Sequence, residues 1–170
     1  SGSTFDQNNL GGTLYVPAIE LPEDFNPSSY AMRGLIVYNG HIYSQAQVYY
    51  DTDAEAIEDL VGDYLGHATD SIDEWSTRED YDTEFASTNT GDVYSVKGYD
   101  IGFRLCLVEK HTNESGGTVK EILFFERLND IELSTGKDLF GDRLHIKDNW
   151  ASARCQTYES WSDDSYGIDF

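Results

Sequence analysis

Asn39-Gly40 stands between two runs of β-forming residues in RGLIVYNGHIYSQAQVYY, and no other feature constrains this chain as strongly. Both central residues of a two-residue type I′ turn need positive φ, which Asn and Gly adopt at little cost. The turn predicts a register, with Tyr38 opposite His41, Val37 opposite Ile42 and Ile36 opposite Tyr43. Alternation then puts Leu35, Val37 and Ile42 on one face and Ile36, Tyr38 and Tyr43 on the other. Both faces are apolar, so the hairpin is expected at the centre of a sheet rather than at its edge.

Three more strands are read at Asp92–Lys97, Phe103–Lys110 and Val119–Arg127, the last two joined by the turn formers of HTNESGG. Ile131–Leu133, Leu144–Ile146 and Trp150–Tyr158 read as shorter strands, the last two closing the sheet. Residues 64–72 carry a weak strand pattern, and 73–91 read as an acidic surface loop with a helical turn. One main helix is expected over about 53–61. Thr52 and Glu55 have capping-box spacing, Asp53 suits the positive end of the helix dipole, and Gly62 suits the position just past the C-terminus. Ala54, Ile57, Leu60 and Val61 supply its apolar stripe. Thr135 and Asp138 predict a short helical turn near 135–140. Strands lie on both sides of a single helix and nothing alternates as βαβ. The expected class is therefore α+β, with a strongly curved, mostly antiparallel sheet or open barrel.

Residues 1–30 read as a polar tether and a lead-in segment punctuated by Pro17, Pro22 and Pro27, and 31–170 as a single domain. A chain of 170 residues buries enough surface for a core without metal or disulfide staples. Its 32 Asp+Glu against 11 Lys+Arg give a formal net charge of -21. Such a surface repels phosphate backbones, which argues against nucleic-acid binding. Cys106 and Cys155 fit neither a zinc ribbon nor a C-x-x-C redox motif. A bridge between neighbouring strands and a pair of buried free thiols both remain open.

The tetrapeptide KGYD, Lys97 to Asp100, joins two of the strands and gathers a cation, a glycine, an aromatic and an acid. Turn chemistry accounts for all four. Gly98 supplies positive φ, Tyr99 packs back over the sheet, and Asp100 accepts a backbone N–H two residues on. Lys97 and Arg104 flank Asp100 as its candidate neutralising partners. If the corner carries a ligand as well, Tyr99, Asp100 and Arg104 are the residues that hold it, with Trp75 and Trp161 as candidate exposed platforms and Trp150 as a third tryptophan. In REDYDTEF, Asp80, Asp82 and Glu84 alternate, and in an extended chain they share one face that suits Ca²⁺. No EF-hand pattern accompanies them. Glu79 and Glu84, near Trp75 and Tyr81, are the candidate carboxylate pair for glycan hydrolysis. His41, His67, His111 and His145 are scattered, and no H-E-x-x-H, G-x-S-x-G or phosphate-loop frame is present.

Taken together, GLIVYNGHIY, AIEDLVGDYLGHATDSIDEW and DVYSVKGYDIGFRL resemble an uncharacterised extracytoplasmic domain of Gram-positive bacteria. That domain occurs in lipoproteins and in the outer portions of anti-sigma-factor-like membrane proteins. The resemblance spans about residues 31–161. It implies surface exposure and an upstream lipid or membrane anchor, and it carries over no catalytic residue and no cofactor. The expected function is a non-enzymatic cell-envelope sensor or interaction module with a protein, peptide or glycan partner outside the membrane. The alternatives are an envelope-glycan hydrolase using paired carboxylates and a calcium-stabilised structural domain.

Overall fold

The computed structural model describes residues 12–19, 34–73, 75–112 and 115–146, with the strand backbones Arg154–Cys155 and Ile168–Asp169. The chain divides into two compact units, Ser1–Glu132 and Leu133–Phe170, where the sequence reads as one domain over 31–170.

The first unit is built on a curled, open, antiparallel half-barrel. Its strands are β2 (Leu35–Tyr38), β3 (His41–Tyr50), β4 (Val61–Thr69), β5 (Thr90–Val96), β6 (Arg104–Thr112) and β7 (Thr118–Glu126), in the spatial order β2-β3-β7-β6-β5-β4. A short β1 (Leu14–Val16) pairs separately with β8 (Ile131–Leu133). The hairpin forms as the turn dictates: Asn39 has φ 51°, Gly40 has φ 72°, and Tyr38, Val37 and Ile36 face His41, Ile42 and Tyr43. Strands also form at the three segments read most strongly, shifted by one or two residues at their ends.

The hairpin does not lie at the centre, however. β2 is an edge strand, and both its faces are buried because the loop after β4 covers it. Val37 donates to the Ala86 carbonyl at 2.9 Å, and its own carbonyl accepts from Phe85 N–H at 2.9 Å. Leu35 donates to Thr88 Oγ1 at 3.0 Å, and its carbonyl accepts from Thr88 N–H at 3.0 Å. The loop thus acts as a seventh pairing partner, satisfying the backbone groups that an edge otherwise leaves to water.

Alternation along the strands feeds two main cores, and Val37 packs in a third cluster with Ile72 and Ala86 of the covering loop. Ile36, Tyr43, Val93, Leu105, Leu107, Leu123 and Phe125 pack on one face, with Phe85 of the covering loop against them. Cys106, Val96, Ile122 and Phe124 pack on the opposite face, beneath Ala54 and Ile57. A bulge between Gln45 and Gln47 switches the parity of β3, so Tyr43 and Val48 reach the same core although they are an odd number of residues apart.

The main helix is the element the sequence misreads. Residues 51–56 form a six-residue helix, α1 (Asp51–Ala56), and a 3-10 turn follows at Glu58–Leu60. Thr52 and Glu55 do not form a capping box, since Tyr50 is the N-cap and no side chain caps it. Gly62 does not end a helix and lies inside β4. The apolar stripe that suggested a long helix is met by a shorter one: Ala54 and Ile57 touch the sheet, Val61 touches it from β4, and Leu60 is exposed. With so short a run, tertiary contact rather than propensity sets the helix length. Two further helices are single turns, α2 (Arg78–Tyr81) and α3 (Gly136–Phe140). α3 belongs to the second unit and has the capping box expected of Thr135 and Asp138. Leu144–Ile146 is not a strand, because the chain turns there and His145 takes φ 50°. Of Trp150–Tyr158 only the β9 backbone (Arg154–Cys155) is described, and it pairs with β10 (Ile168–Asp169) rather than with the main sheet.

Cys106 is a free, buried thiol, and the side chain of Cys155 lies outside the described residues. Burial pushes the Cys106 thiol from 9.0 up to about 12. Burial likewise pushes the Tyr43 hydroxyl from 10.0 up to about 12. Both groups keep their protons in the folded chain at pH values where the unfolded chain has lost them. Their contribution to stability is therefore complete below the unfolded values and falls as pH rises from about 9 towards 12. Urea midpoints should drop between about pH 8 and about pH 11, and the drop should be smaller in Tyr43→Phe and Cys106→Ala. A wild-type slope retained in both variants would show that other groups govern the alkaline limb.

A second expectation concerns Gly66. A Cβ there would collide with the ring of Phe85. Gly66→Ala should cost about 1–3 kcal/mol by overpacking, measured by denaturant titration, and Phe85→Leu in the same background should recover part of it. An unchanged midpoint for Gly66→Ala would mean that the ring moves away freely.

Candidate functional site

The KGYD corner serves the backbone throughout. Tyr99 N–H closes the turn on the Val96 carbonyl at 3.1 Å, Gly98 has φ 84°, and Lys97 N–H donates to the Leu60 carbonyl at 2.9 Å. Asp100 Oδ1 accepts from Gly102 N–H at 2.7 Å, the two-residue contact that an Asx turn requires. Arg104 does not neutralise Asp100. Its guanidinium pairs with Glu126, the residue directly opposite on β7, and stacks over the Tyr99 ring at 4.0 Å. Arg127 Nε and the Tyr43 hydroxyl hold the following loop through the Gly102 and Ile101 carbonyls, at 2.9 and 3.1 Å. Tyr99 thus has one face covered by Arg104.

The acidic row is broken by local structure. Residues 78–81 are helical, so Asp80, Asp82 and Glu84 do not share an extended face. Asp80 closes the capping box of α2, accepting from Thr77 N–H at 2.6 Å. Asp82 is the C-cap of that turn, and Glu84 accepts from Asn39 N–H at 2.8 Å, fastening the hairpin turn to the covering loop. Glu79 lies in the first turn of α2. Among the described residues, no group of three or more His, Cys, Asp or Glu is placed to hold a metal ion. Trp75 is exposed on a turn whose backbone Asp73 holds at 2.8 Å. Trp150 and Trp161 lie outside the described residues.

The structure opens a different place. On the face that carries Cys106, an open groove of about 500 Å³ lies between the 3-10 turn and strands β4 to β7. Val61 and Val108 give it an apolar floor, and Tyr94 a half-exposed ring packed edge-on by Tyr64, with centroids 5.6 Å apart. His67 Nδ1 meets Asp92 Oδ1 at 2.9 Å. Lys120 Nζ donates to Glu58 Oε1 at 2.5 Å, and that hydrogen bond holds the Glu58 carboxyl below its ordinary range. Burial, and then the charge of Asp92, push the Tyr94 hydroxyl up, so it is a phenol and a donor at neutral pH. Lys110 completes the lining.

None of these groove residues stood out in the sequence as a site. Period-two alternation puts Asp92 with Tyr94 and Val108 with Lys110 on one face, which was legible. The β6–β7 register, which sets Lys110 directly opposite Lys120, was not. No protein-family model, curated protein or solved structure matches this chain.

The corner gives a direct check. A Cβ on Gly98 would meet nothing within 4 Å, so Gly98→Ala tests backbone conformation alone. It should lower stability by about 1 kcal/mol, read from the melting temperature, because Ala resists positive φ. No loss would mean that the turn relaxes into another type without cost.

Proposed function

We propose that this chain is a non-enzymatic, extracytoplasmic interaction module of the bacterial cell envelope that binds its ligand in the groove beside Tyr94. The observation that carries the reading is a division of labour. The residues that look most like chemistry in the sequence, Asp100, Arg104, Asp80 and Glu84, are each tied to a backbone group, a turn or an ion pair. The groove instead combines an apolar floor with a few convergent polar groups, the make-up of a binding site. The likeness of the hairpin, the 56–75 segment and the KGYD corner to extracytoplasmic domains supports the location. No helix among the described residues is long and apolar enough to cross a membrane.

Purified Gram-positive cell-wall glycan fragments provide the test. Saturable, reversible binding that perturbs Tyr94 and Lys110 is expected, with the glycan recovered at full length by mass spectrometry. Shortened glycan accumulating with time would replace this reading with the hydrolase.

A further inference from the structure

We infer that the groove takes an acidic saccharide, with the sugar carboxylate on Lys110 and the ring against Tyr94. This rests on the binding-module reading and adds the chemical class of the ligand.

The first observation is the lysine pair. Like charges directly opposite on neighbouring strands destabilise a sheet, and Lys110 faces Lys120 across β6 and β7. Glu58 answers Lys120. Lys110, in a chain with 32 Asp+Glu against 11 Lys+Arg, makes no ion pair within 4.0 Å among the described residues and acts on Glu58 only from a longer range, behind Lys120. An ammonium left over in so acidic a chain, at the wall of a groove, fits an anion brought from outside. The net charge of -21 does not prevent this, because fields from distant carboxylates are screened over about 8 Å at physiological salt.

The second observation is what surrounds it. Tyr94 offers a flat, half-exposed ring suited to the C–H face of a sugar. Asp92 engages His67 through Nδ1, which leaves Nε2 of the ring to meet a ligand hydroxyl. Asp92 and Glu58 are themselves acceptors. A peptide rich in acids would bring several carboxylates against these two. Each unit of an acidic saccharide brings, beside the carboxylate that Lys110 can hold, ring hydroxyls that donate to Asp92 and Glu58, which a glutamate unit lacks.

Three probes separate the possibilities by NMR titration of the whole chain: trigalacturonate, its fully methyl-esterified form, and triglutamate. Trigalacturonate should shift the Lys110, His67 and Tyr94 signals saturably, and the neutral ester should bind roughly tenfold or more weakly through loss of a charge-assisted contact. Lys110→Gln, at an exposed position that leaves the fold intact, should bring the acid down to the affinity of the ester. Equal affinity for acid and ester would overturn the charge assignment and leave the binding-module reading standing. Tighter binding of triglutamate would overturn the saccharide. If none of the probes binds while the cell-wall fragments do, the ligand class falls and the module reading survives.

Discussion

An antiparallel sheet that curls without closing leaves two edges, and the way this chain deals with one of them organises the rest. On the outer side of β2, Val37 is buried and Leu35 half-buried, so their backbone groups need partners. Residues 85–88 provide them. To do so the chain leaves β4, at the opposite edge of the sheet, reaches β2, and returns to β5 beside β4. Phe85 stands at the centre of this path with φ 59°, a conformation unfavourable for an aromatic residue. Its N–H bond to Val37, its contact with Tyr38 and the absence of a side chain at Gly66 hold it there. The acids of the covering loop act in the same cause, with Glu84 on the hairpin turn and Asp80 on α2.

The opposite face is covered less completely. A helix of the expected length over 53–61 would have spread across it, but α1 stops at Ala56 and the chain re-enters the sheet at Val61. Ala54 and Ile57 shield Cys106, Ile122 and Phe124, while the β4–β6 end near Tyr94 stays open. The groove is thus a consequence of a short helix. Its polar rim follows from register: Glu58 on the 3-10 turn reaches Lys120, which leaves Lys110 as the remaining cation of the pair.

The corner shows why a distinctive string need not be a site. Asp100 and Arg104 are four residues apart and of opposite charge, so pairing is the simplest expectation from sequence. In the fold, Asp100 turns its carboxylate to Gly102 N–H, and Arg104 reaches its cross-strand neighbour Glu126 on β7. That pair is only about one-fifth exposed at each side chain, and Tyr99 and Phe103 lie within 4.0 and 5.2 Å of the guanidinium. Partial desolvation strengthens both the ion pair and the stacking, which favours Glu126 over a turn acid in water.

What the sequence determined by itself is local: the Asn39-Gly40 turn with its register, the strands β5 to β7, the Asx turn at Asp100 and the capping box at Thr135. Each depends on interactions within a few residues, where φ preference, alternation and short hydrogen bonds act without the rest of the chain. The tertiary structure decided the length of α1, the edge position of β2, the partner of Arg104 and the groove at Tyr94. These depend on which distant segments meet, and residues as far apart as Leu35 and Thr88, or Glu58 and Lys120, come together only when the sheet has curled. Local propensity differences of a few tenths of a kcal/mol per residue cannot outweigh burial worth roughly 25 cal/mol per Å² across such contacts.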